Sequence, residues 1–138
     1  MNLNPHSSVE TMNIVPASLT HVDALISLEN TCFSSDKLSR RSFKRFITNA
    51  QSVFLVALMD DVVVGYLLTI FHRGTRLDRL YSMAVSPQYQ GRGIARLLMI
   101  KGELAAEEKG AHYYRLEVNT ENTLAIHLYH SLGFKEFK

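Results

Sequence analysis

Two glycines, Gly91 and Gly93, flank an arginine between a predicted strand and a predicted helix. A glycine-rich turn that opens a helix commonly holds phosphate, because backbone N–H groups and the positive end of the helix point at the anion. A P-loop would place Lys and then Ser or Thr after the second glycine, but Ile94 and Ala95 stand there. A Rossmann fingerprint would place a third glycine where Arg96 stands, so the two glycines indicate dinucleotide binding only weakly.

The same segment has a third interpretation, a loop that holds the pyrophosphate of an acyl-CoA. Gln90, Gly93 and Ala95 are spaced as Gln-x-x-Gly-x-Ala, after a predicted strand and at the start of a predicted helix. Glycine has no Cβ, so phosphate oxygens can approach the backbone at Gly91 and Gly93. Backbone donors at a helix N-terminus suit a pyrophosphate that arrives without a metal ion.

The strand and the helix that position this loop belong to a chain that alternates between the two kinds of element. Hydrophobic periodicity predicts the order β-α-α-β-β-β-α-β-α-β, which is typical of a mixed sheet flanked by helices in the α/β or α+β class. The predicted strands are Asn13–Val15, two arms of a hairpin that turns at Asp60 and Asp61, residues 75–85, residues 112–118, and a last strand that begins at Phe134. The predicted helices are residues 20–33, a second that begins near Ser39, Ile94–Lys109, and residues 121–133.

Helix ends and apolar faces follow from local signals. Thr20 and Asp23 are spaced as a capping box at the start of the first helix, and Gly110 is a suitable stop for the third. The predicted apolar face of the third helix contains Ile94, Leu97, Leu98, Leu104 and Ala105. The predicted apolar face of the last helix contains Leu124, Ala125, Leu128 and Leu132, and Gly133 closes it.

The composition predicts one soluble globular domain with a sizeable core. The chain has 138 residues, of which 46% are hydrophobic and 20% charged. A net charge of +2 is too small to indicate binding to nucleic acid or to a membrane, and no apolar run approaches the ~18 residues that span a bilayer. Cys32 is the single cysteine, so no internal disulfide can form and a reducing cytoplasm fits. Residues 1–11 have no signal-peptide pattern and are predicted to be a disordered extension.

Four stretches, LYSMAV, GRGIARLL, LEVNTEN and AIHLYHSLGF, together resemble a known family. They are similar to the GNAT superfamily of N-acetyltransferases, and within it to the bacterial ribosomal-protein alanine N-acetyltransferase type. The resemblance extends over residues 12–138 and implies the GNAT fold, with acetyl-CoA as cosubstrate and no metal. It also implies that the loop backbone holds the pyrophosphate and that the preceding strand pairs with the pantetheine arm. The cofactor-binding residues that it implies are Met83, Ala84, Val85, Gln90, Gly91, Arg92, Gly93, Ile94, Ala95, Arg96 and Asn122.

The resemblance also implies two catalytic residues, Glu117 as general base and Tyr129 as general acid. A carboxylate can take a proton from the amine directly or through water, and a tyrosine of pKa near ~10 can protonate a thiolate. Backbone N–H groups near Met83 could stabilise the thioester oxygen. The alternatives are a surface glutamate on a strand rim, an amphipathic core tyrosine, and plain helix capping by Asn122.

Other residues have weaker indications of function. Arg92 and Arg96 either reach CoA phosphates or lie on a solvated helix face. His127 and His130 are three residues apart on one helix, but no partner has matching spacing, so surface histidines are favoured over a metal site. The basic run at residues 37–45 is either a solvated face or, if the first two helices line the acceptor site as in the resembled family, a device that steers an acidic substrate.

The predicted reaction is acetyl transfer to a primary amine, with a protein N-terminal α-amine favoured as acceptor. A small-molecule amine acetyltransferase and a non-catalytic acyl-CoA-binding module are the alternatives. GNAT domains usually finish with a hairpin whose last strand lies beside the strand that carries Glu117. The resemblance therefore predicts that the domain at residues 12–138 is C-terminally incomplete and that its final strand is missing. The open edge that results would invite pairing with another chain, for example in a homodimer.

Overall fold

The structure is a computed structural model that describes residues 11–72 and 74–136. Within these residues the elements follow the predicted order up to the last helix. The strands are β1 (Met12–Pro16), β2 (Ser52–Met59), β3 (Val62–Phe71), β4 (Leu77–Val85) and β5 (Tyr113–Arg115). The helices are α1 (Val22–Cys32), α2 (Arg40–Thr48), α3 (Ile94–Glu108) and α4 (Thr123–Ser131), with short 3₁₀ turns at Leu19–His21 and Pro87–Tyr89.

The five strands form one sheet in chain order. β1 to β4 are antiparallel to their neighbours, whereas β5 lies parallel to β4. Apolar side chains of α1 and α2 pack on one face of this sheet, and those of α3 and α4 pack on the other. The predicted mixed, mostly antiparallel sheet flanked by helices is confirmed.

Local turn chemistry accounts for several element ends that were predicted. Asp60 and Asp61 have φ angles of 48° and 67°, and a two-residue hairpin turn of type I′ requires positive φ at both positions. The Ser39 side chain accepts a hydrogen bond of 3.1 Å from the backbone N–H of Ser42 and so caps α2. Gly110 adopts a φ of 99° just after α3, as a residue that follows a helix C-terminus commonly does.

The predicted capping box of Thr20 and Asp23 is wrong. The chain first makes the 3₁₀ turn at Leu19–His21, in which the Ser18 N–H donates to Nδ1 of His21 at 3.0 Å. The Thr20 hydroxyl is hydrogen-bonded to the Ser18 hydroxyl at 2.6 Å, and α1 begins only at Val22. The tighter turn therefore moves the start of the α-helix two residues beyond the predicted cap.

The predicted apolar faces of α3 and α4 are partly wrong. Leu104 is 51% exposed and Leu124 is 83% exposed, because both lie away from the side of the helix that meets the sheet. The buried side of α3 consists of Ile94, Leu98, Met99, Gly102 and Ala106. This row advances mainly by four residues, which is the spacing of one helix face.

The predicted strand over residues 112–118 is shorter than expected. β5 pairs with β4 only where Tyr113–Arg115 lie beside Leu77–Arg79, and residues 116–119 are irregular. Residues 134–136 form no strand, so the predicted start of a last strand at Phe134 is wrong for these residues, while Phe137 and Lys138 lie outside the described residues.

The extension predicted at residues 1–11 lies outside the described residues except for Thr11, whose N–H donates to the Asp60 carboxylate at 3.2 Å. None of the helices in the described part of the chain has the length and apolar character needed to cross a bilayer.

Close packing of α3 on the sheet depends on Gly102. A Cβ at this position would lie 2.8 Å from Cδ2 of Leu67, which is itself fully buried on β3. The missing side chain lets the helix approach the sheet, and the helix in turn carries the glycine loop at its N-terminus. Glycine has a low helix propensity, so the presence of Gly102 within α3 is explained by this close packing and not by helix stability.

The substitution Gly102→Leu should lower the free energy of unfolding by about 2 kcal/mol. Overpacking a core by several carbons costs about 3 kcal/mol at the upper end of the usual range, and better helix propensity returns about 1 kcal/mol. Chemical denaturation measures the difference, with Lys101→Leu at the neighbouring exposed position as the matched control. Equal unfolding midpoints for the two variants would contradict the close approach of α3 to Leu67.

Candidate active site

The loop between β4 and α3 presents an open strip of backbone. Gly91 and Gly93 have φ angles of 79° and 80°, a left-handed conformation that side chains with a Cβ rarely adopt. A Cβ built at either position would meet no other atom within 4 Å. Without side chains at these two positions, a ligand can approach the backbone directly.

The first turn of α3 supplies donors next to this strip. Gly93 is the N-cap of α3 and has no side chain that could accept a hydrogen bond from the first turn. The first hydrogen bond of the helix runs from the N–H of Leu97 to the carbonyl of Gly93 at 3.0 Å. The N–H groups of Ile94, Ala95 and Arg96 therefore have no partner within the helix. Together with the positive end of the helix dipole, they suit the negative charge of a diphosphate.

The end of β4 offers a second strip of backbone. Met83, Ala84 and Val85 pair with β3 on one side, whereas the pairing with β5 ends at Arg79. Within the described residues, the other edge of β4 has no strand partner from residue 80 onward. Gln90 Nε2 approaches the Val85 carbonyl at 3.4 Å and links the end of the strand to the glycine loop. An extended ligand that carries amides could pair with this edge as a short extra strand.

The two arginines of the loop have protein contacts in the structure. The guanidinium of Arg92 lies 4.8 Å from the centre of the Tyr89 ring. Arg96 Nη2 donates to the Ser131 hydroxyl at 2.6 Å and so joins α3 to α4. These contacts fix both side chains near the loop, and their predicted role toward phosphate stays a prediction.

Glu117 and Tyr129 line the same groove, which has a volume of about 880 Å³ and lies between β5 and α4. The Glu117 side chain is 70% exposed, and its Oε1 is 3.5 Å from Nη2 of Arg79. Tyr129 is buried, with its ring centre 6.0 Å from that of Phe134. Burial raises the pKa of the Tyr129 hydroxyl, so this group is protonated at neutral pH. The groove thus combines a solvated carboxylate with a phenol that can donate a proton.

Asn122 performs the capping role that was one of its two predicted roles. Its side chain accepts a hydrogen bond of 3.2 Å from the N–H of Ala125 at the start of α4. His130 on the same helix lies 3.6 Å from the Glu136 carboxylate at the surface. Among the described residues, no group of three or more His, Cys, Asp or Glu side chains is arranged to hold a metal ion.

A buried polar network that sequence reasoning missed lies between α1 and the sheet. Glu29 is only 2% exposed, and its Oε1 accepts a hydrogen bond of 2.7 Å from the Tyr66 hydroxyl. Its Oε2 accepts one of 2.6 Å from the backbone N–H of Leu38, and the Tyr66 hydroxyl is 2.6 Å from the Ser82 hydroxyl. Burial raises the pKa of Tyr66, so the phenol stays a donor.

The Glu29 network ties together the segment between α1 and α2, the strand β3, and the part of β4 that precedes Met83. The sequence did contain a signal for this network, because Glu29 lies on the same face of α1 as the buried residues Val22, Leu25 and Leu28. Cys32, one turn later, lies 3.5 Å from the Val85 carbonyl, and burial followed by the nearby Glu29 charge raises the pKa of its thiol. A raised pKa leaves Cys32 as a thiol rather than a nucleophilic thiolate.

The model of the acetyltransferase (GNAT) family matches residues 22–134, which include both helical layers and the glycine loop. The chain belongs to the GNAT acetyltransferase family. The predicted resemblance is confirmed.

Individual relatives agree with this assignment. An N-alpha-acetyltransferase of Sulfurisphaera tokodaii is 32% identical over 133 residues, which cover 88% of this chain and 79% of that protein. An uncharacterised protein of Mycobacterium leprae is 35% identical over 127 residues, but the chain spans only 34% of that longer protein.

Solved structures with lower identity share the fold. The ribosomal-protein-S18-alanine N-acetyltransferase of Escherichia coli superposes with a TM-score of 0.82 at 24% identity, over 93% of this chain and 80% of that one. The PaiA N-acetyltransferase of Thermoplasma acidophilum, solved in complex with coenzyme A, also gives 0.82, at 21% identity over 91% and 90% of the two chains.

The substitution Glu29→Gln should release the segment between α1 and α2. The amide group of Gln cannot accept both hydrogen bonds, so either Tyr66 or the Leu38 N–H loses its buried partner, at a cost of about 1–3 kcal/mol. Hydrogen exchange at the Leu38 amide should become faster, and the free energy of unfolding should fall by a similar amount. Glu108→Gln at the exposed end of α3 is the matched control, and unchanged exchange at Leu38 in Glu29→Gln would contradict the anchoring role.

Proposed function

We propose that the chain transfers the acetyl group of acetyl-CoA to a primary amine, with the N-terminal α-amine of a protein as the favoured acceptor. The observation that carries this proposal is the shared groove of an exposed carboxylate, Glu117, and a buried phenol, Tyr129, in a chain of the GNAT family. The relative from Sulfurisphaera tokodaii is named an N-alpha-acetyltransferase, which supports the choice of acceptor.

The residues of the loop and of β4 fit coenzyme A. The open backbone at Gly91 and Gly93 and the first turn of α3 would hold the diphosphate, and the free edge at Met83–Val85 would pair with the amides of the pantetheine arm. Gln90, Arg92 and Asn122 stand around this path as further predicted contacts. When bound, acetyl-CoA supplies an activated acyl group as a thioester.

Each chemical requirement of the transfer has a candidate group on the chain. Glu117 is exposed, so it can accept the proton of the acceptor amine directly or through a water molecule. Tyr129 has a raised pKa and keeps its proton until it donates it to the leaving thiolate. Backbone N–H groups on the free edge of β4 near Met83 can stabilise the negative charge that develops on the thioester oxygen.

The pair of acid and base favours an enzyme over an acyl-CoA sensor, because binding alone requires neither group. A small-molecule amine remains the second candidate acceptor, since the groove of about 880 Å³ has room for a whole small substrate. Turnover of acetyl-CoA with a panel of peptides, polyamines and amino sugars separates the candidates. Acetylation of peptides alone supports the proposed function, and turnover with none of the acceptors supports the sensor.

The substitution Gly93→Val should weaken the binding of coenzyme A by about 1–3 kcal/mol, the cost of losing buried polar contacts. The branched side chain would occupy the open strip that the diphosphate approaches. Calorimetric titration of the folded variant with coenzyme A measures the effect. Gly74→Val is the matched control, because Gly74 has the same φ of 80° and equally open surroundings but lies in the β3–β4 turn. Equal affinity in the two variants would contradict the acyl-CoA loop.

The substitution Glu117→Gln should lower kcat by roughly 10²–10⁴ at neutral pH, as expected for a lost general base. Tyr129→Phe should lower kcat while KM and the melting temperature change little, because the buried ring is kept. The raised pKa of Tyr129 also means that wild-type activity should not fall from its ionisation below pH ~10. Steady-state kinetics with the accepted amine measures both variants.

Glu121→Gln and Tyr113→Phe, at exposed positions nearby, are the matched controls for the two catalytic variants. They should keep the wild-type rate. Wild-type turnover in both Glu117→Gln and Tyr129→Phe would show that the assigned roles are wrong.

A further inference from the structure

The neighbours of Glu117 define the path by which an acceptor reaches it. Leu80 packs into the core on the α3 side of the sheet, so its neighbour on β4, Arg79, lies on the α2 side. There the Glu117 carboxylate is 3.5 Å from the guanidinium of Arg79 on β4. An amine that approaches Glu117 across this face of the sheet therefore passes Arg79.

Further along the same face, an aromatic pair connects β4 to α2. The register of β3 and β4 skips one residue at Tyr81, and this bulge leaves the Tyr81 side chain 48% exposed. The centre of its ring is 5.1 Å from that of Phe46, and the guanidinium of Arg45 lies 4.9 Å from the centre of the Phe46 ring. The exposed side chains of Arg45, Tyr81 and Arg79 lie along the path to Glu117, with Phe46 buried beneath Arg45 and Tyr81; we call them the α2–β4 strip.

Positive charge dominates this strip. α2 carries four basic residues and no acidic one. Arg40 is paired with Asp23 at 2.7 Å, whereas Arg41 is exposed and lies one turn before Arg45 on the same side of the helix. Glu117 is the acid beside the strip, and it is already in contact with Arg79. The cations at the α2 end of the strip are therefore available to an external anion.

Resting on the proposed acetylation of protein N-termini, we propose that the α2–β4 strip recognises an acceptor peptide with acidic side chains at its second and third residues. An extended peptide advances about 3.3 Å per residue, so residues that follow an amine held at Glu117 pass Arg79 and then Tyr81. The exposed ring of Tyr81, backed by the buried Phe46, gives the peptide an apolar platform between the guanidinium groups of Arg79 and Arg45. A free acidic amine would meet Arg79 but would leave Tyr81 and Arg45 without contacts.

The test compares three peptides of equal length that begin with Ala and continue with two Glu, two Gln or two Lys residues. The kcat/KM of the Glu peptide should exceed that of the Gln peptide by about three- to tenfold at low salt, and the Lys peptide should be the poorest. The difference should lie mainly in KM and should shrink as ionic strength rises. Arg45→Glu should abolish or reverse the preference, whereas Lys101→Glu, which changes the net charge equally on α3, should keep it.

The outcomes distinguish a failure of the acidic-peptide recognition from a failure of the proposed N-terminal acetylation. Peptides that are acetylated equally well, or an equal preference in Arg45→Glu and Lys101→Glu, would overturn the acidic recognition while the proposed function stands. Acetylation of free glutamate or of a polyamine with no acetylation of any peptide would overturn both. A circular dichroism melt of each variant verifies that a lost preference does not come from unfolding.

Discussion

The short parallel pairing between β4 and β5 is the constraint on which the proposed site depends. The two strands lie side by side only where Leu77–Arg79 meet Tyr113–Arg115, and then they separate. Their separation leaves the edge of β4 free at Met83–Val85 and carries Glu117 away from the ladder. If β5 followed β4 to its end, the backbone groups proposed to hold pantetheine would be used up within the sheet. The proposed pantetheine-binding edge at Met83–Val85 and the proposed base Glu117 therefore both depend on the point where the pairing between β4 and β5 ends.

The helices on the two faces of the sheet pack against it through different interactions. On the α3 face the packing is apolar and close, with Gly102 against Leu67. On the α1–α2 face it includes the buried Glu29, which is satisfied by Tyr66 and by the Leu38 N–H. A buried carboxylate is costly unless its oxygens have such partners, so the network fixes one arrangement of the segment between α1 and α2. Asp78 is also buried, and burial raises the pKa of its carboxyl group, which favours the neutral form.

Most features that depend on a few consecutive residues were predictable from the sequence, with the Thr20–Asp23 capping box as an exception, and features that depend on distant residues were not. The Asp60–Asp61 turn, the Ser39 cap and the glycine loop each follow from local backbone preferences. The exposure of Leu104 could not be predicted, because the apolar residues of α3 outnumber the positions that meet the sheet. The role of Glu29 depends on Tyr66, which is 37 residues away. The end of β5 at Arg115 depends on where its pairing with β4 stops, and the β propensity of the residues that follow does not determine that point.

The same distinction separates the two halves of the proposed site. The cosubstrate half is made of backbone on one continuous segment, from Met83 to Arg96, so a short motif suffices to indicate it. The proposed acceptor half is made of side chains from α2, β4 and the segment after β5, where contacts such as Phe46 with Tyr81 and Arg79 with Glu117 exist only after folding. Backbone donors tolerate many side-chain changes around them, whereas each member of the acceptor strip can change alone. A short local motif therefore suffices to propose the acyl-CoA half of the site, whereas the acceptor half can be proposed only from side chains that the fold brings together.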